Sequence, residues 1–246
     1  MINPRNVDAL RLLGVLAWQT GQNRIAVDLI RQAISINPKY AVAHNNLGVV
    51  LKDEGQLKEA ENAYRQALSL NPDDAQAHYN LGNVLWAQGQ LEEAESTYHQ
   101  ALSLNPDDAK VHNNLGAVLQ EEGQLEEAVN AYRQALSLNP DYVDAYSNLG
   151  VALKEGGQLE EAISAYGQAL SLNPDYAEGY NNLGVALKEE GKLEEAISAY
   201  GQALSLNPDY VDAYNNLGNA LKEGGKLEEA ISAYGQALSL NPDYAE

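Results

Sequence analysis

Residues 177–210 read AEGYNNLGVALKEEGKLEEAISAYGQALSLNPDY. Tyr180, Leu183, Gly184 and Leu187 stand at i, i+3, i+4 and i+7, the spacing of one helix face. Gly191 follows the last periodic residue and suits the left-handed backbone that ends a helix. The helical period resumes at Leu193 and continues through Ala196, Ile197, Tyr200, Ala203 and Leu204. Asp175, with Glu178 three residues on, is expected to cap the first helix in a capping box. Glu194 and Glu195 put negative charge in the first turn of the second helix, where the dipole favours it. Asn207-Pro208 stops that helix, because the residue before proline is driven out of the α region. The segment therefore predicts two antiparallel helices. Gly184, Ala196 and Ala203 remove bulk where the axes approach, and Tyr200 fills the space between them.

The pattern extends in both directions at a fixed period. Pro4, Pro38, Pro72, Pro106, Pro140, Pro174, Pro208 and Pro242 are each 34 residues apart, each follows an asparagine, and no other proline occurs. Such a period marks one supersecondary unit stacked on copies of itself. The predicted repeats are 7–40, 41–74, 75–108, 109–142, 143–176, 177–210 and 211–244, with 245–246 as the start of a truncated eighth. The first differs from the rest: Leu12 replaces a recurring asparagine and Ile30 a recurring tyrosine, as in an N-terminal cap. Function in such a stack is expected in columns of equivalent positions rather than in one assembled pocket.

The succession Leu-Gly, bulky leucine, Ala, Tyr, Ala and Pro over 34 residues, seven times without insertion, resembles the tetratricopeptide repeat (TPR). The resemblance covers 7–244 and implies an all-α, right-handed superhelical solenoid of seven helix-turn-helix repeats. First helices would line a concave groove and second helices the convex side. It also implies a protein or peptide ligand and no chemistry of its own.

Composition narrows the partners. With 15 Lys+Arg against 35 Asp+Glu the formal net charge is −20, which repels phosphate backbones and anionic lipid and argues against nucleic-acid or membrane-surface binding. There is no cysteine, hence no disulfide framework, thiol nucleophile or thiolate metal site. No apolar run reaches the ~18–20 residues needed to span a bilayer. A cytoplasmic location is expected.

Residues that invite catalytic readings do not converge. His44, His78 and His112 occupy one column in successive repeats, but neighbouring helix layers are ~8–10 Å apart and zinc requires ligands ~2.0–2.1 Å from one centre. The column continues as Tyr146, Tyr180 and Tyr214, which points to packing and to no metal. The pairs Glu92/Glu93, Glu126/Glu127, Glu160/Glu161, Glu194/Glu195 and Glu228/Glu229 project ~100° apart on a helix and are expected in solvent. No glycine-rich phosphate loop, nucleophile elbow or metalloprotease motif appears. Neither catalytic residues nor a cofactor are expected.

The informative column is Asn46, Asn80, Asn114, Asn148, Asn182 and Asn216. Asparagine is a poor helix former, yet it recurs mid-helix just off the packed face. A row of carboxamides, each with two donors and an acceptor, can clamp the main chain of an extended peptide. The alternatives are amides bonding to neighbouring repeats, or inheritance from duplication. An asparagine directly before Leu-Gly in many consecutive repeats is similar to the recognition arm of O-linked N-acetylglucosamine transferases and their bacterial relatives. That resemblance implies a peptide-holding ladder in a glycosyltransferase-like protein. The preceding column, Arg11, Asn45, Tyr79, Asn113, Ser147, Asn181 and Asn215, has only one cation, so chaperone C-terminal tails are not expected as ligands. Tyr79 and Trp86, seven residues apart on one helix, are candidate peptide anchors, with partial burial against the next helix as the alternative.

At the other end, Leu227, Ile231, Tyr234 and Leu238 are expected to form an uncovered apolar face that drives head-to-tail self-association. That gives a second functional reading, a self-assembling structural scaffold in which the asparagines only space helices. A chain that is part of a longer protein would also leave the face uncovered.

Overall fold

In a computed structural model, the structure describes residues 6–241. Pro4, Pro242, the end of the seventh repeat and the residues read as an eighth lie outside the described residues. Every regular element among those described is an α-helix, and there are fourteen. They fall into two compact units, divided between Glu122 and Gly123.

The first unit holds α1 (Val7–Gln19), α2 (Asn23–Ile36), α3 (Ala41–Asp53), α4 (Leu57–Leu70), α5 (Ala75–Ala87), α6 (Leu91–Leu104) and α7 (Ala109–Glu121). The second holds α8 (Leu125–Leu138), α9 (Val143–Glu155), α10 (Leu159–Leu172), α11 (Ala177–Glu189), α12 (Leu193–Leu206), α13 (Val211–Glu223) and α14 (Leu227–Leu240). Within each unit every helix packs on its sequence neighbours. First helices also touch first helices: α1 with α3, α3 with α5 and α5 with α7, then α9 with α11 and α11 with α13. The consecutive helical hairpins predicted from the period are what each unit contains.

The expected devices of the repeat are present. Glycines at the hairpin turns, Gly55 (φ 74°) and Gly191 (φ 82°) among them, have left-handed backbone. Asn207 is extended (φ −131°, ψ 91°), so the helix ends before Pro208. At the centre of the hairpins α3–α4, α5–α6, α9–α10, α11–α12 and α13–α14 a glycine faces a tyrosine ring. A Cβ on Gly184 would lie 2.6 Å from Cε1 of Tyr200, and one on Gly82 2.6 Å from Cε1 of Tyr98. In the first repeat Ile30 takes the ring's place, against Gly14.

One local expectation is corrected. The N-cap of α11 is Tyr176, with no side-chain cap bond, and not Asp175. Where aspartate occupies the cap position the bond does form: Asp74 accepts from the Ala77 amide at 3.0 Å and Asp108 from the Lys110 amide at 3.0 Å. Asp175 stands one residue too early, and its own amide donates to Asn173 Oδ1.

Candidate functional site: the first-helix face

The asparagine column lies on α3, α5 and α7 in the first unit and on α9, α11 and α13 in the second. All six side chains are half-buried. On α5, α7 and α13 the asparagine bonds to the residue one place earlier on the preceding first helix. Asn80 Nδ2 donates to Asn45 Oδ1 at 3.2 Å and Asn216 Nδ2 to Asn181 Oδ1 at 3.0 Å. Asn114 Nδ2 donates to Asn83 Oδ1 at 2.8 Å and to the Tyr79 hydroxyl at 3.3 Å. Gln76 Nε2 donates to Asn80 Oδ1 at 3.0 Å. Apart from this last, intrahelical bond, they stitch neighbouring repeats, the role weighed against peptide clamping. Asn46 and Asn182 make no hydrogen bond among the described residues, so their donors and acceptors stay available to a ligand.

Around Asn46 the helices leave a cavity of about 250 Å³. Val15, Trp18, Val49 and Val50 line it, with Asn45, Asn46, Gln76 and Asn80 supplying carboxamides. Its tryptophan is fixed, because Trp18 Nε1 donates to Asp53 Oδ2 at 2.7 Å. The predicted anchors are likewise engaged. Trp86 is half-buried with Nε1 donating to Glu121 Oε1 at 2.9 Å. Tyr79 accepts from Asn114, and its ring lies 6.3 Å from that of Tyr98. Both residues are held by the fold and still form part of the first-helix face.

Sequence reasoning missed the polar links beneath this face. The Tyr98 hydroxyl donates to Asn83 Oδ1 at 2.7 Å and the Tyr234 hydroxyl to Asn219 Oδ1 at 2.8 Å. Asn83 thus serves both Tyr98 and Asn114. The available signal was that the Asn83 and Asn219 column otherwise carries valine or alanine. Tyr40, at the edge of the first unit, donates to Asp8 and accepts from Arg11 Nε at 2.9 Å. The bond to Asp8 raises the Tyr40 pKa.

The histidines are staples. Nε2 of His44, His78 and His112 contacts the carbonyl of Pro38, Pro72 and Pro106 at 3.0, 2.9 and 2.9 Å, tying each first helix to the turn before it. Among the described residues no group of His, Cys, Asp or Glu is arranged to hold a metal ion. The first-turn glutamates are exposed and several pair with the neighbouring repeat, as in Arg31–Glu59 at 2.9 Å and Arg133–Glu161 at 2.6 Å. No described helix is long and apolar enough to cross a membrane.

The C-terminal face is exposed at Leu227 (59%), Ile231 (71%) and Leu238 (44%). Tyr234, on the same stretch of α14, is half-buried, with its ring against Gly218 and its hydroxyl donating to Asn219 Oδ1, so it is engaged within its own hairpin.

Comparison with known proteins agrees with this architecture. The cilia and flagella-associated protein 70 C-terminal domain matches residues 6–181. Tetratricopeptide repeat models match 165–198, 186–223 and 211–244. No curated protein sequence matches. Among solved structures, YrrB, described as a TPR protein with an unusual peptide-binding site, is 27% identical with a TM-score of 0.65, over 75% of this chain and 95% of that one. PilF of Pseudomonas aeruginosa is 25% identical with a TM-score of 0.74, over 88% and 97%. MamA is 27% identical with a TM-score of 0.63, over 67% and 96%. With one match spanning well over half its length, the chain belongs to the family of the cilia and flagella-associated protein 70 C-terminal domain, a tetratricopeptide repeat family.

Proposed function

We propose that the chain binds an extended polypeptide along its first-helix face and contacts the ligand's main chain through carboxamides. The observation that carries this reading is Asn46, half-buried and unbonded in the lining of a cavity that joins apolar Val15, Trp18, Val49 and Val50 to the carboxamides of Asn45, Gln76 and Asn80. The description of YrrB as having a peptide-binding site supports a ligand of this class. Carboxamides that also stitch the repeats bring the ladder into register before a ligand arrives, which lowers the ordering cost of binding. The narrower form of the reading is a recognition arm of a glycosyltransferase-like protein. It rests on the ladder's resemblance alone.

Fluorescence anisotropy against a labelled library of random extended peptides tests the clamp. Asn46→Ala should weaken the best binder by about 2- to 10-fold, the worth of one net hydrogen bond, and leave the melting temperature unchanged. Asn114→Ala should lower both affinity and stability. Unaltered affinity in Asn46→Ala would remove the carboxamide clamp from the account.

A second reading, a scaffold whose copies meet head to tail, draws on the exposed apolar residues at both ends: Leu13 and Leu16 on α1, Leu227 and Ile231 on α14. Sedimentation over a wide concentration range separates the two. Head-to-tail assembly requires a mass that grows with concentration, whereas a clamp does not.

A further inference from the structure

Along the asparagine column, a carboxamide is bonded or left open according to the residue 35 places before it. Asn80 donates to Asn45, Asn114 to Tyr79 and Asn216 to Asn181. Each of those partners offers an acceptor oxygen near the tip of its side chain. For Asn46 and Asn182, which make no hydrogen bond among the described residues, the residue at that spacing is Arg11 or Ser147. Arg11 has no acceptor, and Tyr40 draws its guanidinium away: Nε donates to the tyrosine hydroxyl at 2.9 Å, and the guanidinium carbon lies 5.8 Å from the ring centroid. Ser147 has an acceptor of shorter reach than asparagine's, and its hydroxyl is already bonded to that of Tyr176 at 3.2 Å.

The serine is what separates α9 from α11 here. Ser147 and Asn181 hold equivalent positions on the two helices and are buried alike, at 5% and 6% exposure. Tyr176 and Tyr210 follow them at the same spacing. Tyr210 does not displace the bond from Asn216 to Asn181, so a tyrosine at that place does not by itself free a carboxamide. Serine in place of asparagine does. Asn182 is half-buried and stands four repeats on from Asn46, but its flanks differ. Where the cavity around Asn46 has Trp18 and Gln76, the equivalent positions beside Asn182 are Lys154 and Asp212.

We propose that Asn182 is a second main-chain docking point, for an extended peptide segment with hydrophilic side chains, and that Ser147 is the positioning residue that keeps it open. The inference rests on the carboxamide clamp read from Asn46 and extends it to the second unit. A carboxamide with donors and acceptor both free matches a peptide group, which offers one of each. A bonded asparagine must give up a bond to make a new one, so it gains less from a ligand. The column is therefore not a set of equal rungs: Asn80, Asn114 and Asn216 hold repeats together, and Asn46 and Asn182 face a ligand with their valences open. Apolar walls beside Asn46 suit an apolar side chain, whereas Lys154 and Asp212 beside Asn182 suit polar ones.

The test uses the full chain with isotope-labelled side-chain amides and two pools of labelled extended peptides, one random and one built from serine, threonine and glutamine. The Asn182 amide signals should shift on titration with the hydrophilic pool, while those of Asn216 stay in place. Ser147→Asn supplies Asn182 with the acceptor that Asn181 supplies to Asn216, and asparagine fits there because Asn181 fills the equivalent place. The substitution should move the Asn182 amide signals before any peptide is added and remove their response to peptide. It should also weaken binding of the hydrophilic pool by about 2- to 10-fold, the worth of one net hydrogen bond. A general loss of packing at Ser147 would not produce the first two changes. The reciprocal change, Asn181→Ser, should make the Asn216 amide respond. The inference is overturned, with the clamp left standing, if the Asn46 amide responds to the random pool and the Asn182 amide to neither. It is overturned as well if Ser147→Asn leaves the Asn182 signals and the affinity unchanged. Silence of both amides would remove the clamp together with it.

Discussion

The Tyr166 hydroxyl is buried and has no hydrogen-bond partner. The equivalent hydroxyls of Tyr98 and Tyr234 donate to Asn83 and Asn219, but the corresponding residue here is Val151. An unpaired buried hydroxyl carries a desolvation cost that a partner would offset. Valine and asparagine have similar helix propensities, so the exchange is decided by the hydrogen bond against lost apolar contact. Val151→Asn should raise stability by about 1 kcal/mol, measured by chemical denaturation. The reverse change, Asn83→Val, should cost more, because it orphans Tyr98 and also removes an acceptor of Asn114. If Val151→Asn destabilises, the valine's packing outweighs the missing bond.

At the scale of the helix, glycine has two opposite roles in one repeat. Gly201 lies mid-helix in α12 with open space where a Cβ would stand, whereas a Cβ on Gly184 would meet the Tyr200 ring at 2.6 Å. Gly201→Ala should therefore stabilise by roughly 0.5–1 kcal/mol through propensity alone. Gly184→Ala should destabilise by about 1–3 kcal/mol through overpacking. Denaturant midpoints should move in opposite directions with unchanged m-values. The Gly184 role was legible in the sequence, because a glycine preceded by leucine at each 34-residue step can only mark close approach. Helix ends were legible too, from Asn-Pro and the turn glycines. The cap of α11 was not, since Asp175 and Tyr176 differ by one residue and local pattern cannot fix that register. The particular partners of the asparagines in neighbouring repeats were not legible, for a different reason. A spacing of 35 residues, as in Asn45 to Asn80, becomes a contact only once the rise of one repeat is known. The place of the asparagines beside the packed face could not by itself tell a clamp from a stitch.

The molecule as a whole is built around tyrosines, and this gives its stability a definite pH dependence. Burial raises the Tyr64, Tyr98, Tyr166 and Tyr200 hydroxyls above the ordinary value of 10.0. A folded pKa above the unfolded one means that the unfolded chain loses its protons first. Stability is then fully present below about pH 10 and falls as pH rises through the folded values. Urea midpoints measured from pH 8 to 11 should be level at first and then decline. Tyr64→Phe, which removes the ionisable group, should shallow that decline.

The stack also predicts where unfolding begins. In a repeat array each unit's stability is its own plus that of its interfaces. Among the described residues α14 packs on one helix, α13, whereas α12 packs on both α11 and α13. Because α12 and α14 are identical in sequence, their intrinsic amide exchange rates match, and any difference reports stacking alone. Both contain the mid-helix glycine, at Gly201 and Gly235, so propensity cancels as well. Exchange by mass spectrometry should be faster in α14 than in α12, because local opening of α14 breaks one interface and opening of α12 breaks two. Equal protection of the twins in the free chain would mean that interface coupling contributes nothing and that each hairpin holds itself.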